Sequence, residues 1–520
     1  MGLYLNPRND SFQQAINNPI YVDKSLLIKY TNQLIGIGDN KLCVSRPRRF
    51  GKSTDANMLV AYYSKGCDSH HIFDSLKISQ TDHYLEHLNQ HHVIHINMQS
   101  FLSNTHNIDK MIQLLTMRIL NEFKQEYSIT FFDETNLSLS LEDIYVSTKN
   151  QFIFIIDEWD CIFREYAQNQ EDQKQYLDFL INLLKDKPYV ELAYMTGILP
   201  IKKYGTHSAL NMFEEISMID PGLLSEFMGF TEQEVYDLCL KYNMDYNEMK
   251  QWYDGYHMTE HLSTLSPRSV VSSLIRNKFG NYWTSTETYE ALQVYIDLNK
   301  DGLKDSVIEM LAGESVPVQT SSFQNDMITF DTKDDVLTLL IHLGYLGYNS
   351  SDNTCYIPNK EVIDSFVNSI RKSNWEETTK ALLSSRELLE ATWKQDEEAV
   401  ARYIEEAHLN TSILTYNNEN ALAYTLLLAY ISARDYYTMI REMPTGKGFA
   451  DVVLIPYRDK PAMIIELKWN QDVETALTQI KEKKYPKGLE KYKDNLLIVG
   501  ISYDKKTKKH TCHIEKNTTE

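Results

Sequence analysis

The sequence contains few cysteines, and no two of them lie close together. The six cysteines of this 520-residue chain are Cys43, Cys67, Cys161, Cys239, Cys355 and Cys512, without a CxxC pair. In a chain of this length, such scattered cysteines argue against a disulfide framework and against a cysteine zinc site.

The sequence also lacks a long apolar run. No window reaches the roughly 18 apolar residues of a membrane-spanning helix. The first twelve residues include Asn6, Arg8, Asn9 and Asp10 and hold no apolar run of signal-peptide length. Gly2 follows Met1, but Asn6 stands where the myristoylation pattern needs Ser or Thr. We therefore expect a cytoplasmic protein without a membrane partner.

No stretch is rich in proline, glycine or serine, which excludes a low-complexity linker. The hydrophobic share is 42% and the charged share 24%, which are ordinary values for a globular chain. At roughly 150 residues per domain, the length predicts three or four structural units. No internal repeat is present.

The net charge is −20, and an acidic chain as a whole does not favour nucleic acid. The C-terminal part differs, because lysines concentrate there with few acids between them. Two interpretations stay open for this part: a solvated helix face with a soluble tail, or a local phosphate-binding patch. The lysines concerned are Lys481, Lys483, Lys484, Lys487, Lys491, Lys493, Lys505, Lys506, Lys508 and Lys509.

The first 225 residues alternate between strand and helix patterns. Strands are predicted at 41–45, 93–97, 152–156 and 190–195, and helices near 108–123 and 173–184. Strands separated by helices predict a parallel, doubly wound sheet of the α/β class.

The rest of the chain reads as mostly helical before a final α/β region. We expect a helical lid at 226–290 and a helical, winged-helix-like region at 291–375 with a hairpin near 344–357. We expect helices over 376–440, strands at 449–456 and 462–468, a helix at 473–484 and a last strand at 496–503. The predicted domains are 1–225, 226–290, 291–375 and 376–520.

A phosphate-binding loop is predicted between the first strand and the first long helix. The string Arg46-Pro-Arg-Arg-Phe-Gly-Lys-Ser-Thr54 follows a strand and opens a helix, as a P-loop does. Lys52 would reach the β- and γ-phosphates of ATP, and Ser53 would offer its hydroxyl to Mg²⁺. Arg46 stands where the leading glycine of GxxxxGK[ST] is expected. The other nucleotide-binding candidates in the loop are Arg49, Phe50, Gly51 and Thr54.

Acidic residues follow a second apolar strand, as in a Walker B motif. Asp157 would hold Mg²⁺, and Glu158 would polarise the attacking water. Thr196, at the end of a third strand, would sense the γ-phosphate. The structural alternatives are a buried strand with an acidic end and a simple turn.

Several of these motifs together resemble the AAA-ATPase-like family of bacterial proteins. The resemblance lies in Tyr21-Val-Asp-Lys24, in the loop 46–53, in Ile156-Asp-Glu-Trp-Asp160, in Thr196-Gly-Ile-Leu-Pro200 and in Trp252-Tyr-Asp-Gly-Tyr256. The family's P-loop also reads R-P-R-R-F-G-K-S. The resemblance implies ATP binding in a P-loop fold with a parallel sheet.

A second constellation lies near the C-terminus. Glu466 and Lys468 are two apart on one predicted strand and therefore share a face, and Asp451 lies on the neighbouring strand. Two carboxylates suit Mg²⁺ or Mn²⁺, and Lys468 could position a water or stabilise a phosphorane. The alternative, surface charges, fits poorly with the apolar residues around them.

This second segment resembles the PD-(D/E)XK nuclease superfamily over roughly 376–520. Asp451, Glu466 and Lys468 match its central motif. The resemblance implies that Glu419 is the upstream helical acid and a further metal ligand, and that Gln479 backs the site. The alternative for Glu419 is an acid that stabilises a helix N-terminus.

Together these patterns predict an ATP-binding, and ATP-hydrolysing, protein with a metal-dependent nuclease domain. The expected partner is nucleic acid, with DNA and RNA both open, and a homo-oligomer is one option. The alternatives are a nucleotide-switch regulator that binds nucleic acid or protein without cutting, and a scaffold that binds ATP with little turnover.

Overall fold

The structure is a computed structural model of the whole chain. It describes all residues except 1, 128–129, 205–206, 209, 284–288, 299, 373–375, 411–424, 446–447, 458–459, 483–486 and 518–520. Within the described residues, no helix is both long and apolar enough to cross a bilayer.

The α-helices are numbered in chain order. They are α1 (Asp10–Ile16), α2 (Leu26–Gln33), α3 (Lys52–Tyr63), α4 (His70–Phe73), α5 (Tyr84–His87), α6 (Met98–Thr105), α7 (Ile108–Tyr127), α8 (Leu137–Thr148), α9 (Cys161–Glu165), α10 (Gln170–Leu184), α11 (Glu232–Tyr242), α12 (Tyr246–Tyr253), α13 (Pro267–Arg276), α14 (Tyr289–Asp297), α15 (Leu303–Leu311), α16 (Lys333–Leu343), α17 (Lys360–Lys372), α18 (Glu376–Trp393), α19 (Glu397–Asn410) and α20 (Val473–Glu482). Short 3₁₀ helices include Gly222–Phe227 and Lys487–Asn495.

The strands are numbered in the same way. They are β1 (Lys41–Ser45), β2 (His92–Asn97), β3 (Phe152–Asp157), β4 (Val190–Gly197), β5 (Lys203–Tyr204), β6 (His207–Ser208), β7 (Glu214–Ile216), β8 (Phe230–Thr231), β9 (Tyr256–Thr259), β10 (Leu262–Leu265), β11 (Val316–Pro317), β12 (Gly347–Asn349), β13 (Thr354–Tyr356), β14 (Tyr437–Thr445), β15 (Gly448–Pro456), β16 (Ala462–Trp469), β17 (Leu496–Asp504) and β18 (Lys509–Lys516).

The described residues divide into two compact units. One comprises residues 1–286 and 317–362, and the other comprises residues 287–316 and 363–520. The four-part division expected from the sequence stays a prediction.

The first unit is built on a five-stranded parallel sheet of order β2-β3-β4-β1-β7. Every residue of β3 is buried, because its apolar side chains are covered on both faces of the sheet. The carboxyl ends of β1, β3 and β4 therefore meet at one edge. The predicted α/β class is confirmed. Strand β7 is an addition, too short to leave a sequence pattern.

The expected helical lid contains strands as well as helices. β8, β10 and β9 form a three-stranded sheet beside α11, α12 and α13. Thr231 and Glu234 form a capping box that fixes the start of α11. These elements pack against one another around a buried apolar cluster that includes Val235, Met249, Tyr253, Leu265 and Val270. The prediction of helices alone was wrong here because strands of two to four residues are too short to show an alternating pattern.

The second unit contains a mixed sheet of order β14-β15-β16-β17-β18. β16 and β17 are parallel and are connected through α20, whereas the other neighbours are antiparallel. Residues 437–440 of β14 were predicted to be helical, and no strand was predicted at β18. Both are edge strands with interleaved polar residues, and β18 is only partly buried, so neither shows an apolar run.

Candidate active sites

Two left-handed residues shape the loop between β1 and α3. Arg49 has φ 66° and Gly51 has φ 90°. A glycine at Gly51 avoids the strain that a side chain would meet at this φ. Because Gly51 is the N-cap of α3, the first turn of the helix presents backbone N–H groups to the loop. This is the geometry that binds phosphate at a helix start.

Arg46, the first residue of the loop, is buried and anchors the loop through hydrogen bonds. Its backbone N–H donates to the carbonyl of Gly197 at 2.9 Å, and its side chain is 1% exposed. The guanidinium bonds Asp55 Oδ2 at 2.6 Å and the carbonyl of Phe227 at 2.6 Å. The buried charge is thus paired and hydrogen bonded, as burial requires. The residue that departs from the usual glycine ties β1, α3 and the 3₁₀ helix at 222–227 together.

Lys52 is buried beneath the loop. Its Nζ donates to the carbonyls of Arg46 and Pro47, each at 3.0 Å. Burial lowers the pKa of Lys52 to about 8. The ammonium donates to neutral oxygens, while the carboxylates of Glu158, Asp160 and Asp157 partly offset the effect of burial on its pKa. Bound phosphate would add further negative charge.

Ser53 and Asp157 meet at the ends of α3 and β3. The Ser53 hydroxyl donates to Asp157 Oδ2 at 2.7 Å, although the two residues are far apart in sequence. Burial raises the pKa of the Asp157 carboxyl, while the Ser53 bond and Lys52 oppose that rise. A hydroxyl beside a carboxylate is an oxygen donor set that fits Mg²⁺.

Glu158 lies next to Asp157 in the left-handed region, with φ 54°. Its carboxylate accepts a hydrogen bond from the Arg164 guanidinium, whose Nε lies 3.2 Å from Asp160 Oδ2. Burial raises the pKa of Glu158, and Lys52 and Arg164 both counteract this. Glu158 therefore sits within the field of two cations.

Thr196 is fully buried, and its hydroxyl donates to the Val44 carbonyl at 2.9 Å. This bond joins β4 to β1, so its hydroxyl is not directed to the loop. The next residue, Gly197, is required for packing, because a Cβ there would lie 2.7 Å from the Trp159 and Asp160 side chains. A γ-phosphate-sensing role for Thr196 stays a prediction.

A cavity of about 360 Å³ opens beside the loop. Its wall is mainly apolar and includes Ile20, Val22, Met58, Phe230 and Val271, together with Phe50, Gly51 and Thr54 of the loop. Arg49 and Arg268 add two cations at its edge, and both are exposed. No sequence pattern indicated that residues 18–24 or Arg268 line a cavity. Only the fold brings the motif Tyr21-Val-Asp-Lys24 to the P-loop.

The loop also rests on residues distant in sequence. The Trp283 indole donates to the Arg48 carbonyl at 2.9 Å. The buried carboxylate of Glu361 accepts the Ser269 hydroxyl at 2.7 Å and the backbone N–H groups of Tyr282 and Trp283. No sequence pattern indicated these supports.

The second site lies where β15 and β16 separate. Their backbone pairing is described from Val452–Ile465 to Leu454–Met463. One step further, Asp451 Oδ2 accepts the Leu467 backbone N–H at 2.7 Å. The Asp451 carboxylate thus accepts the hydrogen bond that a carbonyl of the neighbouring strand would otherwise accept. This bond places the Asp451 side chain beside Glu466 and Lys468.

Glu466 and Lys468 are paired in register with Gly500 and Ser502 of β17. Paired residues point to the same face of a sheet. A Cβ at Gly500 would lie 3.2 Å from Val473, so this face is covered by α20. Glu466 is fully buried and Lys468 is 7% exposed, with Lys468 Nζ 3.4 Å from Glu466 Oε1.

The structure therefore brings together Asp451, Glu466 and Lys468. One or two carboxylates with water and substrate oxygens are a common Mg²⁺ site, so these residues fit a divalent cation. Glu419, the further acid expected from the sequence, lies outside the described residues. So does the side chain of Gln479.

Comparisons with known proteins find family matches over the two parts of the chain that carry these residues. Residues 10–206 match the family described as predicted AAA-ATPase, and residues 417–512 match the PD-(D/E)XK nuclease superfamily. No curated protein matches the chain.

Similar solved structures include the Aeropyrum pernix ORC2 protein in ADPNP–ADP complexes, at 10% identity and TM-score 0.31, covering 68% of this chain and 97% of that one. Cdc6p of Pyrobaculum aerophilum matches at 12% identity and TM-score 0.23, covering 70% and 98%. Drosophila ORC bound to DNA matches at 11% identity and TM-score 0.25, covering 70% and 91%.

Proposed function

We propose that this chain binds and hydrolyses ATP and cleaves nucleic acid with a divalent metal, because residues 10–206 match the predicted AAA-ATPase family and residues 417–512 match the PD-(D/E)XK nuclease superfamily. The proposed ATPase activity is supported mainly by the 2.7 Å hydrogen bond from the Ser53 hydroxyl to Asp157. It joins the loop that would hold phosphates to the strand that would hold the metal.

Each residue of the first site has a distinct role in this proposal. Lys52 and the N–H groups at the start of α3 bind the β- and γ-phosphates. Ser53 and Asp157 hold Mg²⁺, which when bound neutralises phosphate charge. Glu158 accepts a proton from the attacking water, and Arg164 orients its carboxylate. The apolar cavity takes the adenine, with Arg49 and Arg268 at its edge.

The second site supports cleavage of a phosphodiester. Asp451 and Glu466 hold Mg²⁺ or Mn²⁺, which when bound lowers the pKa of a water and offsets charge on the phosphate. Lys468, whose ammonium lies beside Glu466, stabilises the phosphorane oxygens. The Asp451 bond to Leu467 N–H fixes one carboxylate relative to the strand that carries the other two groups.

The deciding experiment assays both activities on the full chain. The parent, Lys52→Ala and Asp451→Asn are each assayed for ATP turnover and for cleavage of labelled DNA and RNA, with and without Mg²⁺. We expect Lys52→Ala to lose turnover and Asp451→Asn to lose cleavage while retaining turnover.

ATP binding with no cleavage of either polymer under Mg²⁺ or Mn²⁺ would favour a nucleotide-switch regulator. Binding without turnover would favour a scaffold. Cleavage that survives Asp451→Asn would refute the assignment of the second site.

A further inference from the structure

Four exposed lysines lie in the turn between β17 and β18 and at the first residue of β18. These residues, here called the lysine turn, are Lys505, Lys506, Lys508 and Lys509. The acid within this turn, Asp504, accepts the backbone N–H groups of Lys506 and Thr507 at 2.7 and 3.2 Å. The lysine ammonium groups therefore form a local cationic surface on a chain of net charge −20.

The lysine turn has a fixed shape. The Lys508 N–H donates to the Asp504 carbonyl at 2.7 Å, and Lys508 has φ 57°. The Lys505 N–H donates to Asn470 Oδ1 at 2.8 Å, and the Asn470 N–H donates to the Tyr503 carbonyl at 2.8 Å. Because Asn470 directly follows β16, these bonds anchor the turn to the end of the strand that carries Glu466 and Lys468.

The register then places the turn close to the second site. Lys468 pairs with Ser502, and Lys505 follows Ser502 by three residues, just past the end of β17. At about 3.3 Å per residue, that is on the order of 10 Å. One strand of a duplex rises about 3.4 Å per nucleotide. The turn is thus roughly three nucleotide steps from Lys468.

We propose that the lysine turn binds the backbone phosphates of a nucleic-acid strand whose scissile phosphate lies at Asp451, Glu466 and Lys468. This inference rests on the proposed nuclease function and adds how the substrate is held. Lysine contacts to phosphate carry no sequence information. The turn therefore gives affinity and register without base preference, on DNA and RNA alike.

The test measures binding of the full chain to fluorescent single- and double-stranded oligonucleotides across a salt series. The Asp451→Asn background prevents cutting. One variant replaces Lys505, Lys506, Lys508 and Lys509 by alanine. A charge-matched control replaces four exposed lysines of the first unit, Lys29, Lys110, Lys174 and Lys185. Thermal melts check that each variant is folded.

We expect the turn variant to lose roughly tenfold or more in affinity, and the slope of log K against log salt to become shallower by about 3. Each phosphate contact contributes about 0.7 to 0.9 to that slope. The control should keep both values. In the otherwise unchanged chain, hydrolysis of bis(p-nitrophenyl) phosphate should be unaffected by the turn variant, because this small substrate does not reach the turn.

Equal affinity and slope in parent and turn variant would overturn the inference while leaving the nuclease proposal standing. So would an equal loss in the control, since net charge alone would then explain the effect. A chain that neither binds nor cuts either polymer would instead refute the proposed function itself. Binding of the turn to anionic phospholipid vesicles but not to oligonucleotides would also overturn the inference.

Discussion

The Arg164 guanidinium donates a hydrogen bond to the carboxylate of Glu158, and its Nε lies 3.2 Å from Oδ2 of the buried Asp160. Asp160 Oδ2 in turn accepts the backbone N–H groups of Ile198 and Leu199 at 3.0 and 2.8 Å. Glu158 is thus oriented by a cation that is itself fixed to the segment after β4. This gives Arg164 a positioning role in the proposed reaction.

Arg164→Gln should lower ATP turnover roughly tenfold or more at neutral pH with little change in ATP affinity. Loss of the guanidinium removes a charge that lowers the pKa of Glu158. The acid limb of the kcat profile should therefore move to higher pH. The measurement is kcat against pH, and an unmoved acid limb would mean that Arg164 is only structural. In a Glu158→Gln background the same change should have no further effect.

Mg-ATP affinity should fall as pH rises above about 8. Burial lowers the pKa of Lys52 to about 8, so the free protein loses this proton where an ordinary lysine keeps it. Because bound phosphates favour the charged form of Lys52, binding of Mg-ATP above this pH requires Lys52 to take up a proton. The affinity for Mg-ATP then falls by at most about tenfold per pH unit. Calorimetry in buffers of different ionisation enthalpy reports the uptake.

Lys52→Arg is the control for that pH dependence, because a guanidinium stays charged throughout. Its affinity should be weaker yet nearly constant between pH 7 and 9. A parent whose affinity is equally constant would show that Lys52 is charged across the whole range in the free protein.

Asp451→Asn and Asp451→Ala should both abolish cleavage but differ in stability. Asparagine retains an oxygen that can accept the Leu467 N–H, whereas alanine leaves this group without its partner. An unsatisfied buried donor costs about 1–3 kcal/mol. Urea unfolding of the metal-free protein should thus show the loss only for alanine. Equal stability of the two variants would indicate that the bond is not important to the fold.

Glu466→Gln should weaken divalent-metal binding and remove cleavage while ATP turnover persists. The carboxylate is fully buried beside Lys468, and a neutral amide cannot supply the charge that a metal requires. Calorimetric titration with Mn²⁺ measures the binding. Unchanged Mn²⁺ affinity would place the metal elsewhere.

Lys52→Ala should alter the rate of nucleic-acid cleavage although Lys52 belongs to the other unit. Both sites occur on one chain, and nucleotide-dependent closure is a common way to regulate access. Cleavage by the parent and by Lys52→Ala is compared with no nucleotide, with ATP and with a non-hydrolysable analogue. If all rates agree, the two activities are independent.

Local patterns in the sequence were enough to predict the strands that carry both sites and the loop of the first site. The apolar run 152–156 and the string from Arg46 to Thr54 carry their structure within a few residues, because burial pattern, turn and helix start are local properties. The same holds for Glu466 and Lys468, since alternation along a strand alone fixes a shared face.

Only the tertiary structure decided what supports these residues. The supporting hydrogen bonds join groups that are distant in sequence. They run from Arg46 to Asp55 and Phe227, from Trp283 to Arg48, and from the Leu467 N–H to Asp451. The edge strands β14 and β18 likewise depend on their neighbours. Their mixed polar residues form strands because an adjacent strand supplies the hydrogen bonds, and no pattern within a single segment encodes that partner.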